Sequence, residues 1–300
     1  MSQTPILDSS LPSGIELEQA ESGLPLLHIT NPWGTARILL QGAQLLDWIP
    51  TGNPPVVWLS PHARFIPGKS PRGGIPICWP WFGPHASDPA LPAHGAARAA
   101  EWILADATTQ RDGSHRLELR LPPKKIDASF WPHHTPARLI ITIGAELTIE
   151  LGTRNETNET IVLGEALHTY FHVSDVRQIR VLGLEDEEFL DKVDSGQRKR
   201  QTGPIVFSGE TDRVYLNTTQ DCVIEDTVLR RRIHIGKDGS RSTIVWNPWT
   251  EKAKRLGDMG ATGYLEMLCV ESGNAADNQL TLPPGEEHWL KVRYSTEAME

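Results

Sequence analysis

Apolar and polar residues alternate strictly in Leu117-Glu-Leu-Arg-Leu121, Leu147-Thr-Ile-Glu-Leu151 and Leu290-Lys-Val-Arg-Tyr294. Side chains on a strand point to opposite faces in turn, so each run predicts a half-buried antiparallel strand. From Leu26 to Ile49 shorter apolar runs are broken by Asn-Pro-Trp-Gly and Gln-Gly-Ala, the punctuation of strands with tight connections. Ile233-His-Ile235 and Ile244-Val-Trp246 flank Lys-Asp-Gly-Ser, and the Asp238-Gly239 pair predicts a hairpin between them. Helical spacing shows only over residues 250–257, with Thr250 as expected cap and Gly257 as expected stop. Many short strands without alternating helices predict an all-β fold, a large and mainly antiparallel β-sandwich with few short helices. The polar residues 1–15, with Pro5, Pro12 and Gly14, predict a weakly ordered lead-in to a single domain over 16–300.

Composition narrows the function classes. The 300 residues are 39% hydrophobic and 22% charged, ordinary for a soluble globular protein. A net charge of -9 argues against a general nucleic-acid binder, which needs an excess of basic residues facing phosphates. The basic run Arg230-Arg231-Arg232 alternates into Ile233 and Ile235 and reads as the solvated face of a strand. No stretch approaches the roughly 18 apolar residues of a membrane span, and the amino terminus lacks a basic region followed by an apolar run. The three cysteines, Cys78, Cys222 and Cys269, form no CxxC pair and suggest neither disulfides nor a cysteine-based zinc site. A cytoplasmic location is expected, and the glycosylation-like triplets at Asn155, Asn158 and Asn217 read as turns.

Candidate chemistry concentrates in four places. Arg72-Gly-Gly-Ile-Pro-Ile-Cys-Trp-Pro-Trp-Phe-Gly83 joins a planar cation to flat aromatic faces in a stiff, non-helical segment. It reads either as a wall of a binding site or as a rigid loop packing Trp79 and Trp81 into a core. The long loop beyond it ends with His94, Gly95 and Arg98 close together, and loops of this length are usually functional. His168 and His172 stand four apart in a β-branched, aromatic segment; on a strand they lie about 13 Å apart, too far to share one metal ion. Either remains a structural histidine or a catalyst acting singly. Glu271 follows Leu268-Cys-Val, where a strand is expected to emerge into a loop, and Asp212 lies in the mixed-charge Thr211-Asp-Arg213; each is a surface carboxylate or a group aimed at a ligand. Walker, dinucleotide-binding, G-x-S-x-G and H-E-x-x-H motifs do not occur, which leaves acid–base chemistry.

Lys69-Ser-Pro-Arg-Gly-Gly-Ile-Pro with Trp-Pro-Trp-Phe-Gly, Leu-Pro-Ala-His94-Gly-Ala-Ala-Arg98, Ala166-Leu-His168-Thr-Tyr-Phe, Glu210-Thr-Asp212-Arg-Val-Tyr, Val245-Trp-Asn-Pro-Trp249, Cys269-Val-Glu271 and Leu282-Pro-Pro-Gly-Glu286 together resemble, in order, the D-hexose-6-phosphate mutarotases (glucose-6-phosphate 1-epimerases). The resemblance spans about residues 35 to 295. It implies a galactose-mutarotase-like sandwich and an isomerase that interconverts the α and β anomers of glucose 6-phosphate without metal or redox cofactor. It also implies that His168 is the general acid and Glu271 the general base, that His94 and Asp212 contact sugar hydroxyls, and that Arg72, Arg98 and Lys69 contact the phosphate. Ser70-Pro71 beside Lys69 departs from the family's pattern. A hexose 6-phosphate is then the expected partner of a monomer that binds neither nucleic acid nor membrane. Two alternatives keep the fold: an aldose 1-epimerase of unphosphorylated sugars, and a non-catalytic sugar-phosphate-binding regulator.

Overall fold

In the computed structural model, which describes residues 11–299, the alternating runs become ladders. His115–Leu121, Ala137–Ile143 and Leu147–Arg154 bury every second side chain and pair in register. They belong to an eight-stranded antiparallel sheet in the order Ile179–Leu182, Cys222–Asp226, Arg231–Asp238, Glu287–Ala298, Leu147–Arg154, Ala137–Ile143, His115–Leu121 and Ile103–Thr109. A second sheet runs Gln197–Arg200, Glu188–Asp191, Thr211–Leu216, Ser242–Asn247, Met267–Asn274, Glu165–Leu167 and Ile77–Cys78, with Tyr170–His172 also pairing to Met267–Asn274. A four-stranded meander, Ile15–Gln19 to Gln44–Pro50, precedes both.

The two large sheets share one buried apolar cluster, to which one contributes Leu117, Ile149, Ile235 and Val292, the other Val245, Leu268, Val270 and Phe171. Burial of this surface is the dominant stabilising term. Polar links cross the layer as well: the Thr169 and Tyr294 hydroxyls lie 2.7 Å apart, and Trp79 Nε1 donates to Thr153 Oγ1 at 3.0 Å. The large antiparallel β-sandwich expected from alternation is therefore present. Of the expected lead-in, residues 1–10 lie outside the described residues, whereas Leu11 packs on the core and Ile15 opens the first strand.

Three local expectations need correction. Asp238-Gly239 does not close a hairpin, because both flanking strands already have two other partners, in different sheets; the turn carries the chain from one sheet to the other. The helix is Trp249–Arg255, and the side chain of Asn247 accepts the Trp249 N–H at 2.9 Å, so Thr250 lies inside it; Gly257, at φ 59°, does end it. Arg231 is not solvated. It is buried, donating to the carbonyls of Pro54, Pro55 and His172 at 2.7–3.0 Å, which satisfies three backbone acceptors. Of the two readings left open for the Arg72–Gly83 stretch, core packing holds for Trp79 and Trp81, whose indole N–H groups donate to Thr153 and Pro92, and Phe82 is the aromatic of that stretch that lines a cavity.

A buried ion pair ties strand ends together. Glu165, fully buried, accepts from Asn274 at 3.0 Å and lies 3.1 Å from His288 Nε2. Burial works against the His288 imidazolium, but Glu165 outweighs it and raises the proton affinity above the ordinary value. A folded value above the unfolded one stabilises the protein below the unfolded pKa and loses that contribution as pH rises through the folded one. The margin by which the native protein melts above His288→Gln should accordingly shrink as pH rises from about 6 to about 8. Thermal melts of both proteins across pH test this.

Candidate active site

Residues paired across antiparallel strands share a face, so the register lays out the site's floor. Asp212 pairs with Trp246, Trp246 with Cys269 and Cys269 with Tyr170; the next row is Val214, Ile244 and Glu271. The intervening Tyr215, Val245, Leu268, Val270 and Phe171 point the other way, into the shared core. Above the floor, the Pro/Gly-rich segment around Lys69 to Pro76 and the loop from Phe82 to Ala99 enclose a cavity of about 730 Å³. All seven candidate residues, Lys69, Arg72, His94, Arg98, His168, Asp212 and Glu271, line it. His172 does not; its carbonyl receives Arg231. Glu271 stands in the middle of Met267–Asn274, not at a strand end, and is 1% exposed.

His168 Nε2 lies 3.5 Å from Glu271 Oε1. Burial, helped by the nearby Asp212 carboxylate and opposed by Arg98, raises the proton affinity of Glu271 well above the carboxylate range. Burial, then His94, Arg98 and Arg72, lowers that of His168 well below the usual imidazole value. Both shifts favour uncharged forms, a carboxylic acid beside a neutral imidazole. Such a pair holds one transferable proton, and passing it to His168 yields a carboxylate base and an imidazolium acid. Glu271 Oε2 and His168 Nδ1 are buried without a hydrogen-bond partner, a cost that proteins concentrate at working sites.

His94 is held from behind. Its Nδ1 accepts the Gly83 N–H at 3.3 Å, so the ring proton sits on Nε2. Burial, Arg98 and Arg72 push its pKa down to about 3, and the neutral ring serves as a fixed donor. Gly95 beside it has φ 75°, and a Cβ there would meet the Trp79 carbonyl oxygen at 2.0 Å, so only glycine lets the loop seat this closely. Asp212 lies 3.6 Å from Lys252, which also pairs with Glu210 at 2.9 Å. Burial raises its proton affinity, with Lys252 opposing. Arg72 donates from Nε to Asp258 and from Nη1 to the Tyr170 hydroxyl, both at 3.0 Å, whereas Arg98 is held by the carbonyl of Ala93 at 2.6 Å.

The model of the family described as aldose 1-epimerase matches residues 25–295. The chain belongs to the aldose 1-epimerase family. Within it, a protein of Escherichia coli strain K12 named "Putative glucose-6-phosphate 1-epimerase" is 40% identical over 258 residues, 85% of each chain. One of the same name from Cenchrus ciliaris is 35% identical over 282 residues, 91% of this chain and 84% of that one. A crystal structure titled as a putative mutarotase from Salmonella typhimurium superposes with a TM-score of 0.90 at 32% identity, covering 98% of this chain and 97% of the other. The resemblance read from the sequence and the sandwich it implied are both in agreement with these relatives.

Sequence reasoning passed over several residues of this candidate site. Tyr170 stacks on His168, with ring centroids 5.0 Å apart and planes 11° from parallel. Trp246 sets its edge against both rings at 5.9 Å. Lys192 and Lys252 line the cavity, and Asp258 anchors Arg72. Tyr170 and Trp246 were present in the quoted motifs; a period-two reading of Asp212–Val214, Ile244–Trp246 and Cys269–Glu271 as neighbouring strands would have put Trp246 on the floor. His168, Cys269 and Glu271 offer ligand atoms within 4.8 Å of one another, the set in the site that could hold a metal ion. The Cys269 thiol is pushed well above its ordinary pKa by burial and by Glu271, which works against the thiolate such a ligand requires.

Proposed function

We propose that this member of the family is a hexose-6-phosphate mutarotase acting on glucose 6-phosphate. The observation that carries the reading is the 3.5 Å approach of His168 to Glu271 on the floor of a cavity that also holds Arg72 and Arg98. Opening a pyranose ring requires a proton to leave the C1 hydroxyl while another reaches the ring oxygen. Glu271 as carboxylate accepts the first, and His168 as imidazolium donates the second; the C1–O5 bond breaks and the aldehyde forms. Rotation about C1–C2 and closure with the roles reversed deliver the other anomer, with no net change in protons. Each group contributes about 10²–10⁴-fold. His94 Nε2–H and Asp212 face the sugar hydroxyls, and Arg98, Lys69 and the free N–H groups of Arg72 bind the phosphate through charge-assisted bonds.

The names of the relatives support this substrate class. A second reading, turnover of unphosphorylated sugar, draws on one observation: Asp258 already neutralises Arg72. The two are separated by following freshly dissolved α-glucose 6-phosphate and α-glucose to anomeric equilibrium. Acceleration of the phosphate sugar alone supports the first reading, equal acceleration supports the second, and none sinks both. Arg98→Ala should lower kcat/KM for glucose 6-phosphate by about 10–100-fold, the loss of one hydrogen bond between charged groups, and change the rate on glucose far less. An equal loss on both sugars would remove Arg98 from the phosphate site.

We further read residues 16–300 as a single domain, because one core cluster runs from Ile15 to Tyr294. A cytoplasmic monomer without nucleic-acid or membrane partners fits the -9 charge and three buried, unpaired cysteines. Among the described residues no helix is long and apolar enough to cross a membrane.

A further inference from the structure

The cationic wall and the acid–base pair are in continuous contact. Arg72 is fixed at 3.0 Å by Asp258 through Nε and by the Tyr170 hydroxyl through Nη1. A guanidinium has five N–H groups, so these two bonds leave about three for a ligand. The Tyr170 ring lies flat on His168, and Trp246 braces both rings edge-on. His168 in turn meets Glu271 at 3.5 Å. A displacement of Arg72 is thus passed to the imidazole through one hydrogen bond and one ring stack.

Charge runs along the same route. Behind burial and His94, Arg98 and Arg72 are the groups that disfavour a protonated imidazole at His168 in the empty cavity. A dianion on these two arginines offsets them and competes with Asp258 for Arg72. The imidazolium, which is the form that protonates a ring oxygen, then becomes easier to hold; offsetting Arg98 also weakens its support of the Glu271 carboxylate, whereas offsetting Arg72 acts on His168.

We propose that an anion seated on Arg72 and Arg98 switches the His168–Glu271 pair into its working arrangement through Tyr170, so that the phosphate activates the chemical step as well as tethering the sugar. This inference rests on the phosphate-sugar reading above. It has a consequence outside the natural substrate: a free phosphate-like dianion should activate this protein toward unphosphorylated glucose. Tyr170 is then a positioning residue, which acts on the sugar through His168.

The test is the anomeric relaxation of glucose with increasing phosphite dianion, beside glucose 6-phosphate alone, with enzyme-free blanks to subtract buffer catalysis and chloride at matched ionic strength. Phosphite should raise kcat/KM for glucose saturably, by roughly tenfold or more, because binding energy from the remote group is spent on the reacting centre. Tyr170→Phe keeps the stacked ring and loses the link to Arg72, and the ratio of rates with and without phosphite should fall toward one; Arg98→Ala should lower it too. Rapid turnover of glucose 6-phosphate with no phosphite effect on glucose, or with inhibition only, overturns the inference while leaving the substrate reading intact. So does a full activation ratio in Tyr170→Phe, or an equal response to chloride. Failure to accelerate glucose 6-phosphate at all removes the reading on which it rests.

Discussion

Replacing Glu271 by glutamine should slow anomerisation of glucose 6-phosphate by about 10²–10⁴-fold, with KM and melting temperature little changed. Glutamine matches the size of the side chain, and burial already favours the uncharged carboxylic acid in the empty site. The neutral amide therefore enters at small cost, on a strand paired along both edges. What it lacks is the capacity to accept the C1 hydroxyl proton. Relaxation of the α anomer followed by polarimetry, with a thermal melt of the same preparation, measures both parts. A variant that keeps most of its rate would take the base role from Glu271.

His168→Asn should cost a comparable factor, because the same proton must pass through the pair. Combining the two should cost little more than either alone, since residues that act as a unit are strongly non-additive. A product of the two separate losses in the double variant would mean that the groups act independently, against their 3.5 Å separation. This substitution also removes the ring on which Tyr170 stacks, so a modest fall in melting temperature accompanies it and does not follow from Glu271→Gln. The difference in stability between the variants checks that each lesion is the one intended.

The layering of this protein was legible in sequence wherever one face of a strand is buried and the other is not. Leu117–Leu121 and Leu147–Leu151 state their faces residue by residue, and the ladders follow. Asp238-Gly239 misleads because turn chemistry is local, whereas the partners of the flanking strands lie far away in the chain. Glu271 misleads for a related reason: a charge after an apolar run ordinarily marks a strand leaving the core, and here the strand continues under a cavity. Arg231 looked solvated among arginines because nothing local shows that Pro54, Pro55 and His172 present carbonyls to be satisfied. The candidate site residues came from a resemblance that keeps their order. Their supports were hidden by distance along the chain: Arg72 reaches Tyr170 across 98 positions and Asp258 across 186.

Floor and wall differ in how their backbones are held. Glu271 sits mid-strand, paired with Ile244 along one edge, while along the other the ladders resume on either side of it. From residue 84 to 94 the wall contributes no strand to either sheet, and lengthening such a loop twofold costs only about 0.6 kcal/mol in closure entropy. Insertions between residues 84 and 93 can therefore be accommodated without disturbing the strand that carries Glu271. A lineage built on this plan can change which sugar it admits many times over and keep a single way of opening the ring.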